Sequence, residues 1–261
     1  MRSIFITGST QGIGLETARS LVAQGHRVVV HARDVPKSEQ VRAALPEAAA
    51  VVVGDLGSLA QTRSLAHAAT AAGPFDVVIH NAGLGGGAAS RTVTEDGLQA
   101  IFQVNVVAPY LLTALMPRPA RLVYLTSGLE AQGRLDWEDL QYERRPWDGM
   151  QAYSDSKLHD VLLAFAVARY WPQSVVNAVD PGWIKTRMGG DGATDELPLG
   201  AETQVWLAAG DEPAATRTGR YLKRRQDLKA NPGAYDQAQQ DRLLTVLEEI
   251  TQVALPERAR G

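Results

Sequence analysis

The 261-residue chain has no cysteine, which excludes disulfides and thiolate metal sites and fits a reducing compartment. Excess charge of either sign is also missing. With 26 Lys and Arg against 29 Asp and Glu, a formal net charge of −3 and a pI near 6.0, nothing in the electrostatics calls for nucleic acid or an anionic membrane as a partner. Lysine is scarce, at positions 37, 157, 185, 223 and 229 alone. No apolar run reaches membrane-spanning length, and the first β-branched run starts almost at Met1, leaving no room for a signal peptide or anchor. A cytoplasmic location and a small-molecule partner are the expectations. Of the histidines, His31, His80 and His159 lie nearest the motifs described below, and their spacing does not suit a metal. They are read as structural, and no metal site is expected.

What is present is a recurrence of short apolar runs: Ile4-Phe5-Ile6, Val28-Val29-Val30, Val51-Val52-Val53, Val77-Val78-Ile79, Leu122-Val123-Tyr124-Leu125 and Val175-Val176. Continuous runs of this kind suit strands covered on both faces. The stretches between them have the length of crossover helices, as at 13–24, 59–72, 95–116 and 153–171. This alternation predicts an α/β fold: an open, doubly wound parallel sheet of Rossmann type with helices on both faces. A last strand is expected at 219–223 and a last helix at about 235–253. With no linker-like segment and no repeat, one domain over 1–261 is the simplest organisation.

The first run leads into Thr7-Gly8-Ser9-Thr10-Gln11-Gly12-Ile13-Gly14 and then a helical pattern. Glycines there let backbone N–H groups approach a pyrophosphate at a helix N-terminus. A tight strand-to-helix connection would use the same residues, but the position after the first strand favours a dinucleotide site.

The glycine spacing, three residues and then one, resembles that of the short-chain dehydrogenases, and further landmarks of that family follow in order. Asp55-Leu56 follow the third strand, Asn81-Ala82-Gly83 the fourth, and Asn105 lies in the next helix. Ser127 ends the fifth strand, Tyr153-Ser154-Asp155-Ser156-Lys157 follows, and Pro181-Gly182, Ile184 and Thr186 come after the sixth. Taken singly, Asp55 could be a cap, Asn81 a turn residue, Ser127 a strand-end hydroxyl and Thr186 a loop residue.

The resemblance implies that Gly8, Ser9, Gln11, Gly12, Ile13, Gly14, Arg33, Asp55, Leu56, Asn81, Ala82, Gly83, Pro181, Gly182, Ile184 and Thr186 bind a nicotinamide dinucleotide. Tyr153 and Lys157 would join them. It also implies that Asn105, Ser127, Tyr153 and Lys157 carry catalysis on a carbonyl or alcohol. Tyr153 and Lys157 stand four apart, so a helix presents them on one face. A tyrosine with an ordinary pKa of roughly 10 is a weak neutral-pH acid–base, and a nearby ammonium favours its phenolate. By resemblance, Ser127 holds the substrate oxygen, Lys157 also grips the nicotinamide ribose, and Asn105 supports a water chain to the lysine.

Residues 128–152 form an insert about twice the usual separation between the serine and the tyrosine. With the run Tyr153 to Leu158 it resembles the retinol dehydrogenase and WW-domain oxidoreductase branch, whose members mostly act on hydrophobic carbonyls or alcohols. The insert is either part of substrate selection or a surface hairpin. Residues 183–200, rich in glycine, suit a lid over substrate; a loop that stays loose is the alternative. Cofactor choice turns on the end of the second strand. The slot where NAD enzymes carry an acid holds Ala32, followed by Arg33, whose guanidinium suits a 2′-phosphate, so NADP(H) is expected over NAD(H). Asp34 is expected to cap the following turn. Self-association as a homodimer or homotetramer, through the helices of Asn105 and Tyr153, is implied by the family, although apolar residues there serve equally as core. Two other functions remain: an NADP(H)-sensing regulator without turnover, and a nucleotide-sugar epimerase or dehydratase, which shares the Tyr-x-x-x-Lys pair.

Overall fold

The computed structural model describes residues 1–256, so the last five positions of the domain expected over 1–261 lie outside the described residues. The β-branched runs become strands β1 (Ser3–Ile6), β2 (Arg27–Ala32), β3 (Ala50–Val53), β4 (Val77–His80), β5 (Arg121–Leu125), β6 (Val175–Val179) and β7 (Arg220–Lys223), with a two-residue β8 (Gln226–Asp227). They form one sheet in the order β3-β2-β1-β4-β5-β6-β7-β8. All pairings are parallel except that of β8 with β7.

The connecting helices are α1 (Gly12–Ala23), α2 (Val35–Ala44), α3 (Leu59–Ala72), α4 (Ala100–Phe102), α5 (Ala108–Leu115), α6 (Gly149–Tyr170), α7 (Leu197–Ala209) and α8 (Gln237–Thr251). Alternate strand residues point to opposite faces. Phe5, Val29, Val78, Leu122 and Tyr124 therefore meet α3, α5, α6 and α8 in one apolar layer. Ile4, Ile6, Val30, Ile79 and Val123 meet α1, α2 and α7 in the other. Strand order reverses between β1 and β4, and the crevice beyond the strand C-termini at such a switch point is where doubly wound sheets hold ligands. No helix among the described residues is long and apolar enough to cross a membrane.

Three expectations need correction. The span 183–200 is not wholly loop, because α7 begins at Leu197 with Pro198 in its first turn, where a missing N–H costs nothing. The helix expected over 95–116 starts at Ala100 and opens into a π-helical turn at Gln103–Val107 before α5. The insert is not a hairpin. It begins with a 3-10 turn, Gly128–Gln132, and then docks on α6. The Tyr142 hydroxyl donates to Asp155 Oδ2 at 2.6 Å, Arg145 pairs with Asp136 and Asp155, and the Arg145 guanidinium lies 3.7 Å from the Tyr142 ring centroid. Beneath it, His159 packs between Phe102 and Trp137. With the insert on one side and the sheet, the π-helical turn at Gln103–Val107 and α8 on the others, α6 is buried around most of its circumference, polar residues such as Asp155, Lys157 and Asp160 included.

Candidate active site

The glycine-rich turn is shaped by contacts that leave no room for side chains. Gly8 and Gly12 have φ of +62° and +55°, and a Cβ on Gly14 would lie 2.4 Å from both Asn81 Nδ2 and Gly8 O. Asn81 Nδ2 donates to Thr7 O and Gly8 O, both at 2.9 Å, tying the loop after β4 to the turn. The hydroxyl of Ser9 is spent inside the protein, donating to Ile6 O and accepting from His31 N. Ser9 therefore offers a ligand backbone rather than side chain. Gln11 at the start of α1 makes no capping bond, which leaves the first helical N–H groups without a side-chain acceptor, the condition for holding a phosphate. Thr186 lies on the other side: its methyl group is 3.4 Å from where a Gly12 Cβ would be. The segment after β6 thus crosses in front of the turn, and the two enclose a cradle of the kind a pyrophosphate fills.

His31 has a structural role that the sequence reading stated only in general terms. Its Nδ1 accepts from Gly8 N at 2.9 Å, and its Nε2–H donates to Gly54 O at 2.7 Å. One neutral tautomer satisfies both bonds, and burial lowers the pKa from its ordinary value. The ring bolts the glycine turn to the end of β3. Nearby, Asp34 caps α2, accepting from Lys37 N at 2.9 Å. Arg33 is exposed and bonds Asp34 Oδ2 through Nε at 3.2 Å. Asp55 turns one oxygen to Gly57 N at 2.8 Å, and Leu56 is buried beside it.

The catalytic candidates gather at the C-terminal ends of β4 and β5. Ser127 caps the 3-10 turn, its hydroxyl accepting weakly from Leu129 N at 3.3 Å. Tyr153 and Lys157 share a face of α6, with Lys157 Nζ 5.7 Å from the Tyr153 ring centroid. That ammonium is buried and donates to Leu125 O at 3.0 Å and to Asp160 Oδ2 at 2.7 Å. A Cβ on Gly83 would lie 3.6 Å from it and 3.3 Å from Asn105 Oδ1, so a side chain there would crowd the lysine and the asparagine. Asn105 sits in the π-helical turn, and its amide is fully engaged. Oδ1 accepts from Leu84 N at 2.7 Å, while Nδ2 donates to Leu84 O and Ser156 Oγ at 3.0 and 2.9 Å. The wider turn places a side chain where it clamps the β4 loop to α6.

After β6, Gly182 takes φ of +97°, and Asp180 accepts from Gly182 N and pairs with Lys223 at 3.0 Å. Ile184 is buried against α7, facing Gly200. Leu84, Met150, Trp183 and Met188 are exposed, and Met188 and Met150 abut Gly85 and Gly86, forming an apolar rim beside Tyr153. Among the described residues no group of three or more His, Cys, Asp or Glu is arranged to hold a metal. Asp160 is the neighbour of the lysine that the sequence reading missed; its place one helical turn after Lys157, in an otherwise apolar run, was the available signal.

The family model described as short chain dehydrogenase matches residues 2–137. Short-chain dehydrogenase chyC of Penicillium rubens is 40% identical over 259 residues, spanning 98% of this chain and 100% of its own. Retinol dehydrogenase 14 of Mus musculus is 28% identical, over 95% of this chain and 85% of its own. Among solved structures, one of a protein from Mycobacterium paratuberculosis superposes with a TM-score of 0.83 at 28% identity, covering 98% and 95% of the two chains. A blue fluorescent protein from a metagenomic library, solved in complex with NADPH, gives 0.69 at 25% identity, covering 85% and 95%.

Proposed function

As the chain belongs to the short-chain dehydrogenase family of oxidoreductases, we propose that it moves hydride between NADP(H) and a hydrophobic carbonyl or alcohol through Tyr153, Lys157, Ser127 and Asn105. The observation that carries this reading is the buried Lys157 ammonium, fixed 5.7 Å from the Tyr153 ring and beside the bare backbone of Gly83. When bound, the nicotinamide cofactor supplies or takes up the hydride. In the reducing direction Tyr153 gives its phenolic proton to the substrate oxygen, and Ser127 orients that oxygen by a hydrogen bond. Lys157 holds positive charge beside the phenol, where negative charge develops as the proton is transferred. Asn105 acts indirectly, by fixing Leu84 and α6 against each other. The rim of Leu84, Met150 and Met188 supports an apolar substrate, since flexible methionines adapt to varied shapes. A panel of aliphatic and aromatic aldehydes, ketones and alcohols, followed by nicotinamide absorbance, tests the reading. No turnover of any member with either cofactor would count against it.

The preference for NADP(H) rests on Arg33. Asp34, the one acid at the end of β2, is committed to capping α2 and to Arg33 itself, while the guanidinium is exposed and free to swing onto a 2′-phosphate. Hydrogen bonds to charged groups contribute about 1.5–3 kcal/mol, so Arg33→Ala should weaken NADPH about ten- to a hundredfold and leave NADH nearly unchanged. Fluorescence titration with both cofactors checks this, and a wild type that binds and turns over NADH better than NADPH would transfer the role to Asp34.

Residues 183–196 act as the lid in this reading. Its polar contacts are mostly internal, the pairing of Ile184 with Asp195 and an exposed ion pair between Lys185 and Glu196, while an ion pair of Asp195 with Arg224 at 3.0 Å reaches the rest of the protein. Amide exchange there should slow when NADPH and substrate are both present, a change that hydrogen-exchange mass spectrometry resolves on its timescale. Equal exchange in free and ternary states would remove the lid from the mechanism.

A further inference from the structure

Asp160 lies one turn beyond Lys157 on α6, and the two side chains are only 3% and 6% exposed. Oδ2 takes the lysine's hydrogen bond at 2.7 Å, whereas Oδ1 has no hydrogen-bond partner among the described residues. Asp160 lines a cavity together with His80 from β4 and Tyr124 from β5. Neither neighbour supplies charge. Burial lowers the His80 pKa to about 3 and raises that of Tyr124, so both are neutral. Among the described residues the only cation paired with Asp160 is Lys157.

A fully buried carboxylate is costly, and an amide of the same shape could still accept a hydrogen bond from the lysine, though a weaker one. What the carboxylate adds is charge. A buried ammonium without a counter-charge tends to shed its proton, and buried lysines shift readily. Here burial is the largest single influence and pulls the Lys157 pKa down, but Asp160, by charge and hydrogen bond, together with Tyr153 outweighs it and the net movement is upward.

Resting on the assignment of Tyr153 and Lys157 above, we propose that Asp160 is a positioning residue for that pair. It keeps the Lys157 ammonium charged and, together with Leu125 O, uses two of its three N–H bonds, so that the third is left for the side of Tyr153 and Gly83.

The scarcity of lysine makes the test direct. In protein labelled with 13C at the lysine ε-carbon, five resonances are expected, and Lys157 is identified by its loss in Lys157→Met. In the wild type its signal should stay that of an ammonium beyond about pH 10, the ordinary lysine range. A midpoint at or below that range would overturn the proposal without recourse to any variant of Asp160. In Asp160→Asn the midpoint should fall by about two units, a hundredfold in proton affinity, with the other four lysines unmoved, and Asp160→Glu should restore much of the shift. An unmoved Lys157 midpoint in Asp160→Asn would overturn it too.

Turnover supplies a second readout. Asp160→Asn should lose activity on the alkaline side first, where its lysine has become neutral, and an alkaline limb like that of the wild type would count against the proposal. If Tyr153→Phe keeps its turnover, the catalytic reading itself fails. If that variant is inactive and the lysine titration is insensitive to Asp160, only the role of Asp160 fails.

Discussion

Tyr153→Phe is expected to fold, to bind NADPH as the wild type does, and to lose turnover by about a hundred- to ten-thousandfold, the usual contribution of a positioned acid–base group. The substitution removes one oxygen and keeps the ring, whose face the Lys157 ammonium sees from 5.7 Å. Tyr153 is partly exposed, unlike Tyr124 and Tyr110, and its hydroxyl makes no protein hydrogen bond among the described residues. Deleting it therefore strands no buried partner, and the stability change should stay within the small range of surface substitutions. Loss of turnover with an unchanged far-UV spectrum and unchanged cofactor affinity would isolate the proton transfer. Turnover within a factor of a few of wild type would remove the tyrosine from the mechanism, whatever the family landmarks imply.

Much of this site was legible because the fold places it on signals that are local in sequence. A β-branched run followed by a glycine cluster fixes both a strand and the turn above it, and Tyr153 and Lys157 need only helical spacing to share a face. Elements were missed where local chemistry is ambiguous. Leu197-Pro198-Leu199-Gly200 reads as the end of a loop, yet proline is well placed in a first helical turn, and α7 starts there. The fold of the insert could not be read from its charges, because its order comes from partners on α6 and in the loop after β4, such as Asp155 with Tyr142 and Ala88 with Trp147. Asn105 illustrates a different limit. Its expected place was the helix after β4, but its side chain grips Leu84 and Ser156, contacts that depend on a π-helical turn no apolar periodicity announces.

Lys157→Met should cost turnover and, in addition, a large share of the stability. The methionine fills much of the lysine's volume, so packing is largely kept, while the carboxylate of Asp160 is left buried beside neutral His80 and Tyr124 with no cation. Removing one partner of a buried ion pair typically costs about 3–5 kcal/mol, which for a chain of this size lowers the melting temperature by roughly 10 °C. The pH dependence identifies the cause. Burial already pushes the Asp160 pKa up to about 6 with the lysine present, above its ordinary value, so the folded state holds the proton more tightly than the unfolded chain. Stability from that group is present at low pH and is lost as pH rises through the folded pKa. Without the lysine that pKa rises further, so the melting deficit of Lys157→Met against wild type should be small near pH 5 and widen toward pH 8. The double variant Lys157→Met/Asp160→Asn should recover most of the lost stability while remaining inactive, because it removes the stranded charge without restoring the ammonium. A deficit independent of pH, or a double variant no more stable than the single one, would show that Lys157 stabilises the fold by packing rather than as the partner of a buried carboxylate.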